Sequence, residues 1–438
     1  MTGQSISSFH HDAGARRIFL YFGPLTLMVY LFAPESLLDI PTSYMLKDHL
    51  YATAPQVSIF RLLTGLPLYL GFVFGLARDM WNPFGWQDPG YFLLFAPLTA
   101  AVFICMAGSH LSYQELLIGM ILATLSFRFV LAAYQGLIAL IGQQALMSGR
   151  LSALWSVFSY IPLVAAVFAS GFISEHMAPG QTFLMAAALT LSIGLFGFWK
   201  PRSVFSRAYE NPSARRMKFL ADVKRLVKHR AIYPALLMNF LWYFMPGANT
   251  PLQFYLTNHL HASDAIYSLY DGIYLASNIP AFLLYGLICT RVPAKKLLWW
   301  GTIIGVPSMI PLAFVNSASR ALAFAVPMGL MSGVGTAAYY DLTMRSCPAG
   351  LHGTLMMLVT GVWMLALRGG DVLGSKIYAS SPAHGLLYCV ITMTAVYVLI
   401  LPIIPFIPKQ LIATPDGEPS PAIEEAETAE ASKTNAAP

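Results

Sequence analysis

Charge is scarce in this chain. Asp, Glu, Lys and Arg make up only 11% of the 438 residues, less than half the roughly 25% typical of a soluble domain. A water-facing surface cannot be built from so few ions, which excludes an ordinary soluble fold. Cysteine is also sparse. Cys105, Cys289, Cys347 and Cys389 are the only four, and none forms a Cys-x-x-Cys pair, so neither a zinc site nor a disulfide framework is signalled. The histidines are scattered. His259 and His261 lie together without further ligands, and no metal is expected. No Walker A loop and no nucleophile–base set can be found, so neither an enzyme nor a bound cofactor is expected. The start, "MTGQSISSFHHDAGARR", lacks a cleavable signal-peptide pattern.

Long apolar runs are what the chain has in abundance. Hydrophobic residues account for 57% of it, in stretches of 18 or more that are each long enough to span a bilayer. This predicts an all-α polytopic membrane protein; a membrane β-barrel would show short alternating segments instead. About twelve spans are expected, near 18–48, 56–78, 90–109, 114–142, 151–174, 181–199, 232–258, 266–290, 297–316, 319–345, 351–378 and 385–407. They fall into a bundle over 18–199 and a second over 232–408. Residues 1–17, a connection over 200–231 and a tail over 409–438 flank them.

The basic residues set the orientation. With the N-terminus inside, 20 Lys/Arg fall on the inner side and three (Lys47, Arg320, Lys376) on the outer side. Both termini are therefore expected in the cytoplasm, for a protein of the bacterial inner membrane. The net charge of +6 is largely topological, and nucleic acid is not an expected partner. The connection "RRMKFLADVKRLVKHR" has amphipathic spacing and either lies on anionic membrane lipid or forms a solvated linker. The tail "ATPDGEPSPAIEEAETAEASKTNAAP" has no apolar face and is expected to be disordered.

Four stretches carry a resemblance. "SYMLKDHLYATAPQVS" (43–58), "GLARDMWNPFGW" (75–86), "NFLWYFMPGANTPLQFYLTNHL" (239–260) and "YYDLTMRSCPAGLHGT" (339–354) sample both halves. Together they resemble the major facilitator superfamily, and within it the folate–biopterin transporter branch. "QDPG" (87–90) and His352 depart from that branch's pattern. The resemblance implies twelve helices, a central cavity, alternating access and secondary active transport without ATP. It also implies a conformational gate at Gly75, Arg78 and Asp79, which end the second span. Asp341 and Arg345, ending the tenth, are candidates for a matching latch.

The remaining charges mark a candidate site for a small-molecule substrate or proton. The third span of each group of three (90–109, 181–199, 297–316, 385–407) holds no Asp, Glu, Lys or Arg. An ion at bilayer depth costs about 2.5–3.5 kcal/mol on insertion scales, so the others should turn toward protein or water. Arg128 lies mid-span with no acidic residue within one turn, and Gln135 follows seven residues later on its face. It suits an anionic substrate or a carboxylate from another helix, with Glu35 or Asp39 as candidates. Those two share a face four residues apart, and are either proton-coupling groups or exposed at the outer interface. Arg368 and Asp371, three apart, are expected to pair on one helix face as a structural lock or as a substrate or proton site. Asp271, Tyr274 and Asn278 form a polar stripe. Asn239, Asn249 and Gln253 offer hydrogen bonds around Pro246, Gly247 and Pro251, which predict a broken helix. The expected function is secondary transport of a small organic anion, folate- or pterin-like, coupled to H+. The alternatives are a membrane enzyme or sensor, or an assembly factor for pigment complexes, on the same fold.

Overall fold

A computed structural model describes residues 3–52, 54–108, 111–208, 224, 226–381 and 383–418. Among them every regular element is helical. The main helices are α1 (Gly3–Leu31), α2 (Gly71–Met80), α3 (Asp88–Ala107), α4 (Tyr113–Gln144), α5 (Ser148–His176) and α6 (Pro179–Gly194). They continue with α7 (Ile232–Tyr243), α8 (Asp264–Ile288), α9 (Ala294–Gly305), α10 (Ala318–Arg345), α11 (His352–Ser380) and α12 (Gly385–Val398). This is the expected all-α membrane architecture.

Nine helical stretches among the described residues are long and apolar enough to cross a membrane. The expected spans 18–48, 151–174 and 232–258 are not among them. The first is interrupted after Leu31 and resumes as Pro34–Leu37 and Asp39–Tyr44. The fifth runs unbroken as α5, with the side chains of 167–172, 174 and 175 outside the described residues. The seventh stops at Tyr243 and restarts only at Thr250–Phe254. Pro251 sits in the first turn of the restarted piece, where its missing N–H costs no helical bond. The irregular stretch between the pieces lies against α11, because Gly370 and Gly374 leave room for it. A Cβ on Gly370 would stand 2.8 Å from the Met245 nitrogen, and one on Gly374 would collide with the Pro246 carbonyl.

The chain divides into two compact units. One holds 1–140, 155–227 and 348–364; the other holds 141–154, 228–347 and 365–438. Each unit is thus one sequence half that has traded a short segment with the other. In the second unit, α8 and α10 cross through Gly329 and Gly333. A Cβ on Gly333 would lie 2.9 Å from the Asn278 carbonyl oxygen. Gly301 and Gly335 bring α9 and α10 equally close, with a Gly301 Cβ 3.2 Å from the Gly335 Cα. The expected tail requires a correction over 409–418. These residues form a short helix, Lys409–Ile412, and a turn, with Ile412 and Asp416 buried against the second unit. Residues 419–438, and the core of the basic connection (209–223), lie outside the described residues.

Candidate functional site

In the first unit the end of α2 meets the start of α11. Arg78 and Asp79 are both 4% exposed. Arg78 donates a two-pronged hydrogen bond to Asp88 at the start of α3, with Nε 2.6 Å from Oδ1 and Nη2 2.5 Å from Oδ2. Its Nη1 reaches Asp79 Oδ1 at 2.8 Å. Asp79 then accepts from three donors on α11: Gly353 N at 3.1 Å, Thr354 N at 2.7 Å and Thr354 Oγ1 at 2.7 Å. The first N–H groups of a helix have no partner inside it and carry partial positive charge. The first turn of α11 has no acidic residue of its own, so Asp79 supplies the anion from another helix. Gly75 makes this approach possible, since a Cβ there would run into the Gly353 carbonyl. Gly136 of α4 gives the Arg78 guanidinium its space. The expected gate residues Gly75, Arg78 and Asp79 are thus brought together, with Asp88 as a member the sequence reading had not singled out.

Further along the first unit, Arg128 is 2% exposed near the middle of α4. Gln135, two turns on, is 1% exposed and joins three helices. Its Nε2 donates to Tyr30 Oη of α1 at 3.2 Å, and its Oε1 accepts from Thr360 Oγ1 of α11 at 3.1 Å. Trp155 Nε1 of α5 also donates to Tyr30 Oη, at 2.7 Å. Tyr30, Trp155 and Thr360 were not legible as site residues, because neutral polar groups in an apolar span stand out only once their partners are known. Glu35 and Asp39 have side chains outside the described residues.

In the second unit the expected Arg368–Asp371 pair is not formed, which corrects the sequence reading. Arg368 is exposed. Asp371 turns instead to the restarted half of the seventh span. There Thr250 N donates to Oδ1 at 2.9 Å and Thr250 Oγ1 to Oδ2 at 2.8 Å. Three-residue spacing permits a pair on one helix, but a free N–H at a helix start competes for the carboxylate and wins. Asn249 and Gln253 flank that start, both partly exposed. Asn239 lies apart from them. It is fully buried, and its Nδ2 donates to Ala235 O at 2.8 Å and to Thr343 Oγ1 of α10 at 3.1 Å. Asp271 is partly exposed on α8. Its stripe mates Asn278 and Tyr274 both bond Ser332 of α10, at 2.8 and 3.0 Å. Trp242 stacks on Tyr397, with centroids 4.7 Å apart, and is a packing residue.

A second carboxylate cluster closes the end of this unit. Asp341 accepts from Arg345 Nε and from Tyr285 Oη of α8, each at 2.8 Å. Gln143, from the end of α4, caps α10 by donating to the Met344 and Cys347 carbonyls, both at 2.8 Å. Asp416 completes the cluster, accepting from Arg150 Nε at 2.8 Å and Gly149 N at 2.9 Å. Burial raises the Asp416 carboxyl above the usual carboxylate range, with the Asp341 charge adding to it and the Arg150 and Gly149 bonds opposing it. Burial likewise pushes up the neighbouring Cys289 thiol.

Comparison with known proteins bears on this geometry. The sequence pattern of the Major Facilitator Superfamily matches residues 89–367. "Folate transporter 1" of Plasmodium falciparum is 21% identical over 302 residues, which cover 66% of this chain and 57% of that protein. The chain therefore spans less than two thirds of that relative's length. The "Folate-biopterin transporter" of Synechocystis sp. is 22% identical over 340 residues, 75% of this chain and 68% of that protein. Among solved structures, the human organic anion transporter MFSD10 (TETRAN) superposes with a TM-score of 0.66 at 15% identity. The match covers 89% of this chain and 99% of that one, and it shows a shared fold.

Proposed function

Because this chain belongs to the Major Facilitator Superfamily, we propose that it carries a small organic anion across its membrane by alternating access, coupled to protons. It is a multi-pass integral membrane protein. The observation that carries the reading is Arg128, a cation buried near the middle of a 32-residue apolar helix. Such a helix is about 48 Å long, so its centre falls deep in the hydrocarbon. A cation there is expensive to maintain and is retained where it has work to do. The names of the two folate-transporter relatives support a flat, carboxylate-bearing solute such as a folate or pterin. Gln135, on the same face, supplies hydrogen-bonding specificity. Within the second unit, taken by itself, Asn249, Gln253 and Arg368 are candidate polar groups, and Asp271 serves as a proton-carrying carboxylate. The Asp79 and Asp341–Arg345 clusters act as the gates.

The test is uptake and efflux of a panel of organic anions in proteoliposomes, with and without a pH gradient. Wild-type protein is expected to move a folate- or pterin-class anion faster when the gradient is imposed. Arg128→Ala should abolish that movement while remaining monodisperse in detergent, and Arg128→Lys should retain part of it. Full activity of Arg128→Ala removes the arginine from the site, and indifference to the gradient removes proton coupling.

A further inference from the structure

The residues after α12 make a contact that a trailing tail would not. Asp416 is 5% exposed, and every bond it makes runs to another part of the chain. Its backbone N donates to the Cys289 carbonyl, just past the end of α8, at 2.9 Å. Its carboxylate accepts from Gly149 N at 2.9 Å, Arg150 N at 3.3 Å and Arg150 Nε at 2.8 Å, all in the first turn of α5. Arg345, at the end of α10, lies 3.8 Å from the same carboxylate. It also donates to the carbonyls of Leu411 and Thr414, at 3.4 and 3.3 Å. Two glycines shape the fit. A Cβ on Gly149 would sit 3.0 Å from Cys289 and 3.3 Å from Asp416, and Gly417 turns the chain away at φ +98°. The first turn of α5 contains no acidic residue, and among the described residues the carboxylate bonded to this helix start is that of Asp416.

This matches the arrangement at α11. There Asp79, on a helix of the first sequence half, anchors the start of a helix of the second. Here Asp416, following the second half, anchors the start of a helix of the first. It ties α5 to α8 and α10, and α5 cannot part from them at this end while the bonds hold.

We propose that residues 409–418 form an intramolecular lock on this end of the transporter: the strap must release α5 before the gate beside it opens. The inference rests on alternating access but on no particular substrate or coupling ion. It implies that anything altering the strap changes how often this end opens.

Two native thiols report on it. Cys289 is 1% exposed beneath the strap. Cys347 is 5% exposed at the end of α10, where its carbonyl is held by Gln143 of α4. In full-length protein carrying Cys105→Ser, reconstituted in lipid nanodiscs, N-ethylmaleimide labelling at each thiol is followed by mass spectrometry. Asp416→Asn, and separately a chain ending at Ile412, are expected to label about tenfold faster at both thiols. Glu418→Gln, an exposed acid of the same segment, should label at the wild-type rate. Faster labelling of Cys289 alone overturns the proposal, because the strap would then be a cover and not a lock. Unchanged labelling of both thiols in a folded variant overturns it as well. Neither readout requires transport, so failure of the anion assay and failure of the lock are distinguishable.

Discussion

Replacing Asp79 by Asn tests whether a borrowed carboxylate holds α2 to α11. The wild-type carboxylate accepts from Gly353 N, Thr354 N and Thr354 Oγ1 of α11, and from Arg78. An asparagine keeps one acceptor oxygen and presents an NH2 group where the other oxygen was. At least one of the two α11 N–H groups then loses its acceptor, which costs about 1–3 kcal/mol for a buried donor. Loss of the negative charge at the helix start adds about 0.3–1 kcal/mol, and up to about 2 in a partly buried setting. Two effects offset part of this. The amide carries no desolvation penalty for a buried charge, and Arg78 keeps its two bonds to Asp88. The net falls near the low end, about 1.5–2.5 kcal/mol, or a factor of roughly 10–60 in the equilibrium for separating the two helices.

Amide hydrogen exchange reads this directly. As groups of a first helical turn, Gly353 and Thr354 N–H have no acceptor within α11, so their protection depends on Asp79. Exchange in the peptide spanning these residues should accelerate at least about tenfold in Asp79→Asn, while the middle of α4 remains as protected as before. Unchanged exchange at Gly353 and Thr354 in a folded Asp79→Asn protein refutes the reasoning. The helices would then be held by their apolar contacts, with the carboxylate incidental.

Three further outcomes follow from the same geometry. Gly75→Ala puts a methyl on the Gly353 carbonyl and should lower the melting temperature by an amount equivalent to about 1–3 kcal/mol. Gly272→Ala, whose Cβ would meet nothing within 4 Å, should be close to neutral in the same melt. Asp371→Ala strands the Thr250 N–H and hydroxyl and should cost about 1–3 kcal/mol in a denaturation midpoint. Arg368→Gln should leave that midpoint unchanged, because no salt bridge among the described residues joins Arg368 to Asp371; an equal loss from both would restore the i,i+3 pair. Gln135→Leu, which removes the bonds to Tyr30 and Thr360, should reduce anion uptake more than it reduces stability, as judged by transport rate against melting temperature.

Much of the fold was legible because apolar length dictates a helix in lipid. The break in the seventh span could be read from Pro246, Gly247 and Pro251, and the family resemblance drew attention to Gly75, Arg78 and Asp79, though not to the close approach that Gly75 allows. What was not legible depends on backbone and not on side-chain pattern. Asp371 was paired with Arg368 because spacing along one helix reveals same-helix neighbours; it cannot reveal that Thr250 begins a new helix with a free N–H. Asp416 was placed in a disordered tail because its local sequence is rich in Pro and Glu. Its partner, the start of α5, is a feature no composition displays. Gln143 and Thr360 were passed over for a related reason. A neutral polar residue in an apolar run has no preferred partner until the neighbouring carbonyls or amides are known. The four-residue spacing of Gly329 and Gly333 is visible in the sequence, but their partner, the mid-helix crossing with α8, is not.

Three carboxylates therefore do one job in three places. Asp79 serves α11, Asp416 serves α5 and Asp371 serves the Thr250–Phe254 helix, and none of these helices has an acidic residue in its own first turn. By contrast α4 begins with Glu115, which bonds the nearby Ser112 N–H at 2.8 Å and needs nothing from elsewhere. The difference matters for motion. A carboxylate and a helix start that separate into water both recover hydration, so such a joint is firm when closed and inexpensive to open. The α8–α10 crossing at Gly329 and Gly333 adds close backbone contact to the Asn278–Ser332, Tyr274–Ser332 and Tyr285–Asp341 hydrogen bonds between the same helices, and parting it in lipid leaves those groups unsatisfied. If the chain works by the proposed alternating access, the joints at Asp79 and Asp416 are the ones expected to open and close, and the α8–α10 crossing is expected to move as one body. Cross-linking Gly149 to Asp416 through introduced cysteines, in a Cys289→Ser background because a Gly149 Cβ would lie 3.0 Å from the Cys289 sulfur, should accordingly stop transport, and reducing the bond should restore it.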